Sequence, residues 1–327
     1  MSDLDQYQVM IEAALQARLK EWGQAEPSRL YRPVLYSLEG GGKRLRPLLV
    51  LLAYRLFGEK VDEALPAALA IEVFHNFTLL HDDIMDKAEL RRNQPAVYLR
   101  FGENSAILSG DVMAFLAYDL LLETQHQRFP EISRLFTRTA VEICEGQQMD
   151  MDFEQRNEVT TAEYLEMIRL KTAVLLACAL KTGALLGGAG ESQAQLLYEA
   201  GVSLGVAFQL RDDFLDTFGD EENFGKKIGG DIAANKKTFL LTEALRCAGD
   251  ARKNEIRAWL SYNAASPDEK FAGVKALFEE LKIHETTLGL IDHYHNRVTG
   301  ILKSLDAPEQ RKQPLYDLCS RLVLRRS

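Results

Sequence analysis

Apolar residues recur at helical spacing along nearly the whole 327-residue chain, and the strict alternation of a half-buried strand is missing. Such a chain buries its apolar stripes by packing helix on helix. The pattern predicts helices over residues 5–22, 28–38, 45–57, 61–86, 105–125, 132–149, 161–186, 193–217, 238–248, 253–263, 272–303 and 308–325. Prolines fall mostly at their edges, as at Pro27, Pro66, Pro130, Pro267 and Pro308, and no linker rich in Gly, Pro or Ser divides them. Length suggests two domains at about 150 residues each. The unbroken pattern argues instead for one all-α domain over residues 1–327, a single large helical bundle. Residues 67–80, 173–186 and 201–210 are apolar nearly all round and are expected at its centre.

Charge narrows the function classes. With 39 basic and 48 acidic residues the net charge is −9, which argues against broad nucleic-acid binding, since that needs many phosphate contacts. A local basic pocket for a small anion remains open. The cysteines, at 144, 178, 247 and 319, are too dispersed for a Cys-x-x-Cys metal site and too few for a disulfide framework. They read as free thiols in a reducing cytoplasm. The first residues are polar and acidic, so no signal peptide is expected. The apolar runs 48–54 and 173–180 end at Arg55 and Lys181, well short of a membrane span, so no stable membrane insertion is expected.

Three motifs carry chemistry. Leu80-His81-Asp82-Asp83-Ile84-Met85-Asp86 closes a strongly apolar segment. On a helix Asp82 and Asp86 stand roughly 40° apart and one turn along, with Asp83 close to the same face. Converging carboxylates repel and raise one another's pKa unless a cation sits among them, and all-oxygen ligation suits Mg²⁺ shared with substrate phosphates. Alone, the pattern fits a solvated acidic face equally well. But Gln209-Leu210-Arg211-Asp212-Asp213-Phe214-Leu215-Asp216 repeats it, again closing an apolar helix. Two such clusters make sense with divalent cations and an anionic ligand. The third motif, Gly40-Gly41-Gly42-Lys43-Arg44-Leu45-Arg46-Pro47, sets three cations after a glycine turn. Backbone amides and cations together cradle phosphate, although this is no Walker loop. Arg91-Arg92, Lys171-Thr172, Lys226-Lys227 and Asn235-Lys236-Lys237 add further cations.

From about Leu35 to Thr238 these pieces, in this order, resemble the trans-isoprenyl diphosphate synthases of the polyprenyl synthetase family. The resemblance implies the all-helical isoprenoid synthase type I fold with a central apolar cavity, and condensation of isopentenyl diphosphate with an allylic diphosphate. It implies that Asp82, Asp83, Asp86, Asp212, Asp213 and Asp216 bind Mg²⁺, three ions per site. Arg91, Lys171, Gln209, Lys226 and Lys236 resemble the family's contacts to the allylic diphosphate, with Lys227 an alternative to Lys226. Lys43, Arg46, His75 and Arg92 resemble its isopentenyl diphosphate site. Lys171 and Thr172 are expected to steady the carbocation, Asp82, Asp83, Asp86 and Asp212 to serve catalysis, and departing pyrophosphate to take the proton. The basic end Arg325-Arg326 is similar to tails that close over the site in some members, and members are usually homodimers.

Product length, by the same resemblance, depends on the residues before Asp82. Phe77 with the small Thr78, and no insertion within the motif, is similar to short-chain synthases of the archaeal geranylgeranyl type, so a geranylgeranyl or farnesyl product is implied. Ideal helix geometry favours Phe74 and Thr78, within about 80° of Asp82, over Phe77 at roughly 140°. Glu145, Asp150 and Asp152 read as a solvated acidic face, with a place lining the site as the alternative, and the segment 105–123 reads as a surface for a second subunit. Two other readings compete. A terpene cyclase on the same fold commonly replaces the second aspartate motif and needs no isopentenyl site. A non-catalytic regulatory subunit typically loses one motif. This chain keeps both.

Overall fold

The computed structural model describes residues 3–219, 228–261 and 266–324. They are almost entirely helical: α1 (Asp3–Trp22), α2 (Ser28–Glu39), α3 (Leu45–Phe57), α4 (Leu65–Met85), α5 (Val97–Phe101), α6 (Glu103–Leu122), α7 (Phe129–Gln155), α8 (Thr161–Ile168), α9 (Val174–Leu186), α10 (Glu191–Phe218), α11 (Gly230–Ala233), α12 (Phe239–Cys247), α13 (Asp250–Ser261), α14 (Pro267–Glu280), α15 (Ile283–Ser304) and α16 (Glu309–Val323). They group into two compact units, one of Met1–Arg138, Cys178–Tyr198 and Leu305–Leu315, the other of Thr139–Ala177, Glu199–Ser304 and Tyr316–Ser327.

In the first unit α3 and α4 are buried along most of their length, as their apolar sequences require. α4 packs most extensively on α6, and Gly110 is what brings them together: a Cβ there would stand 2.2 Å from His81 Nε2. Likewise a Cβ at Gly183 would meet Val50 O at 2.1 Å. The chain leaving α4 forms a small ribbon, β1 (Leu90–Arg91) against β2 (Gln94–Pro95). Sequence periodicity gave no hint of it, because its two-residue turn, Arg92 and Asn93 at φ 52 and 61, lacks the usual glycine.

α6 covers the segment read from the sequence as a surface for a second subunit. Among the described residues α6 is long and apolar enough to cross a membrane, with 39% of that window buried. Glu103, Asp111 and Asp119 interrupt its apolar run. Its inner residues Ala106, Ser109, Gly110, Met113 and Ala117 are buried, whereas Ile107, Leu108, Phe115 and Leu122 are exposed.

In the second unit the predicted helix 161–186 contains a π-helical turn, Arg169–Ala173, between α8 and α9. Glycines bracket this turn. A Cβ on Gly146 of α7 would stand 2.4 Å from Lys171 N, and one on Gly205 of α10 would stand 2.3 Å from Ala173 Cα. A π turn lets a helix re-aim the residues it carries, here Lys171 and Thr172. The predicted helix 272–303 is two helices, because Lys282 adopts φ 56 and breaks the ladder between α14 and α15. α11, α12, α13 and α14 share an apolar core that includes Ile232, Leu240, Ile256, Val274 and Phe278.

Gly146→Ala is expected to overpack the helix against the π turn and lower stability by about 1–3 kcal/mol, measured as a reduced urea midpoint at unchanged m-value.

Candidate functional site

The glycine turn borders a basic pocket in the first unit. Gly41 and Gly42 take φ 79 and 137, and Arg44 at φ 46 starts α3. A cavity of about 360 Å³ here is lined by Lys43, Arg44, Arg46, Glu72, His75 and Arg92. Arg46 Nη1 lies 2.9 Å from His75 Nε2. Burial, and then the Arg46 charge, hold His75 well below its ordinary pKa, so the neutral ring accepts from the guanidinium. Burial lowers Arg46 itself to about 10, which leaves it charged at neutral pH. Its Nε is buried without a hydrogen-bond partner. A buried donor left unmet is costly, and an incoming anion relieves that cost.

Arg44 does something different from its neighbours. It is buried, donating to Glu72 Oε1 at 3.0 Å and Leu38 O at 2.7 Å. Asn76 donates to Glu72 O at 2.8 Å and Oε1 at 3.2 Å. Arg92 donates to Gly41 O and, at 3.4 Å, to Asn76 Oδ1. Glu72 and Asn76 thus lock the glycine turn from beneath. The sequence reading missed both, though an acid and an amide within the apolar run of α4, flanking His75, were the available signal.

The first acidic motif lies at the C-terminal end of α4. The helix dipole is negative there, so three carboxylates are placed where negative charge is least favourable. Asp82 and Asp83 both face Arg91, and the charges of Asp83, Asp82 and Asp86 all act on its guanidinium. Asp83 is about 100° round the helix from Asp82; it is buried and accepts from Arg91 Nε at 2.9 and 3.1 Å and from Nη2. Burial raises its pKa even so, with Arg91 opposing. Asp82 lies 3.6 Å from Arg91 Nη2. The β1–β2 turn therefore splits its two guanidiniums, Arg91 to the aspartates and Arg92 to the glycine turn.

The second motif occupies the last two turns of α10. Asp213 is buried and accepts from Tyr164 OH, from Gln209 Nε2 at 3.2 Å and from Phe239 N at 3.2 Å. Asp216 Oδ2 accepts from Asp231 N at 3.0 Å. Burial pushes the carboxyls of Asp213, Asp216 and Asp231 up, and for Asp231 the charges of Asp213 and Asp216 add to it. Lys171 donates to Asp150 Oδ2 at 2.6 Å, and Thr172 to Gln209 Oε1 at 3.4 Å. These residues, with Lys236 and Lys237, line a cavity of about 110 Å³. Asp150, expected on a solvated face, belongs to this cavity because the π turn aims Lys171 at it. Asp231 was absent from the expected site; its place follows from the fold of α11 against Asp216. Lys226, Lys227 and the tail Arg325-Arg326 lie outside the described residues.

Metal fits these donors in one manner only. Among the described residues no three His, Cys, Asp or Glu side chains enclose a cation by themselves. Pairs of carboxylates such as Asp82 and Asp86 suit a hard cation that keeps water ligands and completes its shell with phosphate oxygens. Beneath the first motif the rings of Phe77, Phe74, Phe136 and Tyr118 meet in series, tilted and then edge to face, with centroids 5.3, 5.2 and 5.1 Å apart. Phe74 is buried, whereas Phe77 and Thr78 are half-buried.

The sequence model of the polyprenyl synthetase family matches residues 27–279. A geranylgeranyl diphosphate synthase of Methanosarcina mazei is 46% identical over 220 residues, covering 67% of this chain and 68% of that one. A geranylfarnesyl diphosphate synthase of Aeropyrum pernix is 34% identical over 307 residues, covering 92% and 95%. A crystal structure of a geranylgeranyl pyrophosphate synthase superposes with TM-score 0.92 at 42% identity, covering 100% of both chains. The decaprenyl diphosphate synthase of Rhodobacter capsulatus reaches TM-score 0.89 at 30% identity, covering 99% and 98%. The all-helical architecture read from periodicity is that of these synthases, and this chain belongs to the polyprenyl synthetase family.

Proposed function

We propose that this chain condenses isopentenyl diphosphate head to tail with an allylic diphosphate, giving an all-trans short-chain prenyl diphosphate of geranylgeranyl or farnesyl length. The observation that carries the reading is the pair of acidic motifs at helix C-termini, together with a separate basic pocket whose Arg46 Nε is unmet. A cyclase has no use for that pocket, and a regulatory subunit none for two intact motifs. The family match runs through residues of both compact units, which supports one catalytic domain over the whole chain.

In this reading Lys43, Arg46, His75 and Arg92 hold isopentenyl diphosphate. Arg91, Lys171, Gln209, Lys236 and Lys226 serve the allylic diphosphate. Asp82, Asp86, Asp212 and Asp216 carry Mg²⁺, while Asp83 and Asp213 aim their neighbours. Bound Mg²⁺, three ions per site, neutralises charge that builds on the leaving pyrophosphate. The allylic C–O bond breaks, the isopentenyl double bond attacks the carbocation, and pyrophosphate takes the proton released. Fixed cations stabilise the developing negative charge, and apolar helices keep water from the cation. The Lys171–Thr172 turn directs its dipoles at the positive centre. The rings from Phe77 to Tyr118 are assigned as the floor that the growing chain meets.

The exposed stripe Leu108, Phe115 and Leu122 on α6 repeats every seven residues, the spacing of a helix–helix seam. A second copy of this chain is the proposed cover, and the cytoplasm the proposed location.

Purified protein given Mg²⁺, isopentenyl diphosphate and, in turn, dimethylallyl, geranyl and farnesyl diphosphates is expected to yield elongated linear diphosphates by mass spectrometry. Asp82→Ala and Asp212→Ala are each expected to lower turnover at least about 10²-fold with helical circular dichroism intact; activity surviving in either removes the metal assignment. Phe74→Ala or Phe77→Ala is expected to lengthen the product, and an unchanged product in both rejects the floor. Phe115→Glu is expected to shift a dimer toward monomer in sedimentation velocity.

A further inference from the structure

α14 lies outside every motif of the proposed chemistry, yet two of its consecutive residues grip the segment that presents Lys236. Lys270 is only 9% exposed. Its Nζ donates to Asn235 Oδ1 at 2.6 Å and to Ala233 O at 3.4 Å. Among the described residues no carboxylate pairs with it, so a buried ammonium is held by two neutral acceptors. A lysine used only to fill space there would be replaced at lower cost by an apolar side chain, since burying the charge is unfavourable. Next to it, Phe271 packs beneath Gly229, where an added Cβ would stand 2.6 Å from the ring.

These two grips fall at opposite ends of Gly229–Asn235. The helix between them, α11, has four residues and cannot hold itself. Asn235 takes φ 55, a left-handed conformation that reverses the chain just before Lys236. Lys236 N then donates to Asp231 O at 2.9 Å, and Asp231 N donates to Asp216 Oδ2 at 3.0 Å. Asn235 is thus the joint at which the short helix turns into the irregular segment that carries Lys236, and Lys270 clamps that joint from outside.

We infer that Lys270 is a positioning residue: by holding Asn235 and the end of α11 it sets Lys236 and the Asp216–Asp231 contact for the allylic diphosphate. This rests on the functional reading above, and it specifies which substrate the clamp serves. The ammonium touches no substrate. Its action passes through the Asn235 amide.

The test uses the full-length enzyme and its Lys270→Met variant, with each substrate varied in turn. The KM for the allylic diphosphate is expected to rise about tenfold, equivalent to about 1.4 kcal/mol, while the KM for isopentenyl diphosphate stays within about twofold. Asn235→Ala is expected to give the same split, and the double variant to be no worse than either single one, because both break one contact. Binding of pyrophosphate with Mg²⁺, followed by calorimetry, is expected to weaken about tenfold in both variants and reads the clamp without turnover. Equal losses for both substrates, additive losses in the double variant, or unchanged pyrophosphate affinity would overturn the inference. If Lys270→Met fails to fold, Asn235→Ala decides by the same measurements. A wild-type enzyme that binds pyrophosphate with Mg²⁺ but elongates nothing counts against the functional reading, and the binding comparison still decides the clamp.

Discussion

Two clusters of carboxylates placed at the negative ends of apolar helices are the constraint to which the rest of this structure answers. Each cluster is electrostatically unfavourable where it stands, through mutual repulsion, burial and the helix dipole together. The chain does not relieve this within either cluster. It places one aspartate of each motif in a buried hydrogen-bonded position, Asp83 against Arg91 and Asp213 among Tyr164, Gln209 and Phe239. In the proposed reaction the remaining negative charge would be neutralised by a divalent cation shared with a diphosphate. On that proposal binding and catalysis would draw on the same source, since the basic side chains that hold a diphosphate would also meet the charge that grows on it as it departs.

Around that constraint the protein builds polar supports from pairs with at least one buried partner. Arg44 with Glu72, Asp83 with Arg91 and Lys270 with Asn235 each place a buried charge against a fixed partner. Such pairs contribute little net stability, since desolvation offsets most of the Coulomb gain. Their effect is geometric. Each removes freedom from a short irregular segment that carries a ligand-facing residue: the glycine turn, the β1–β2 turn and the Gly229–Thr238 segment. Irregular backbone lacks the cooperative hydrogen bonding that orders a helix, so these segments take their shape from side chains below them. Close glycine contacts do the same work for the helices, with Gly146 and Gly205 letting α7 and α10 press on the π turn that aims Lys171 and Thr172.

How much was legible in the sequence follows the range of the forces involved. Helical periodicity located α1, α3, α4, α6 and α10 to within a few residues, because the pattern is written in residues three and four apart. Both aspartate motifs, the glycine turn and Arg91-Arg92 were legible for the same reason. The break at Lys282, the β1–β2 ribbon and the π turn were not, since each is a local departure that only packing stabilises. Asp150 read as a solvated acid and is a cavity residue, because a helix face is solvated or covered according to what folds against it. α6 shows the converse. Large apolar side chains are commonly covered, yet Leu108, Phe115 and Leu122 are exposed, and only the packing of its other face shows which of its residues stay outside.

By itself the sequence determined the all-helical class, the two acidic motifs and the basic glycine turn, since each depends on neighbours within one or two helical turns. Only the tertiary structure decided what each polar residue of those motifs does. Asp213 is held by Tyr164, which is 49 positions away, and Lys270 reaches Asn235 across 35. Arg44, at the wall of the basic pocket, donates its hydrogen bonds to Glu72 and Leu38. Whether a carboxylate is buried, which donor meets it and whether a cation faces ligand or scaffold are set by desolvation and by contacts between distant segments, and these exist only once the helices have packed.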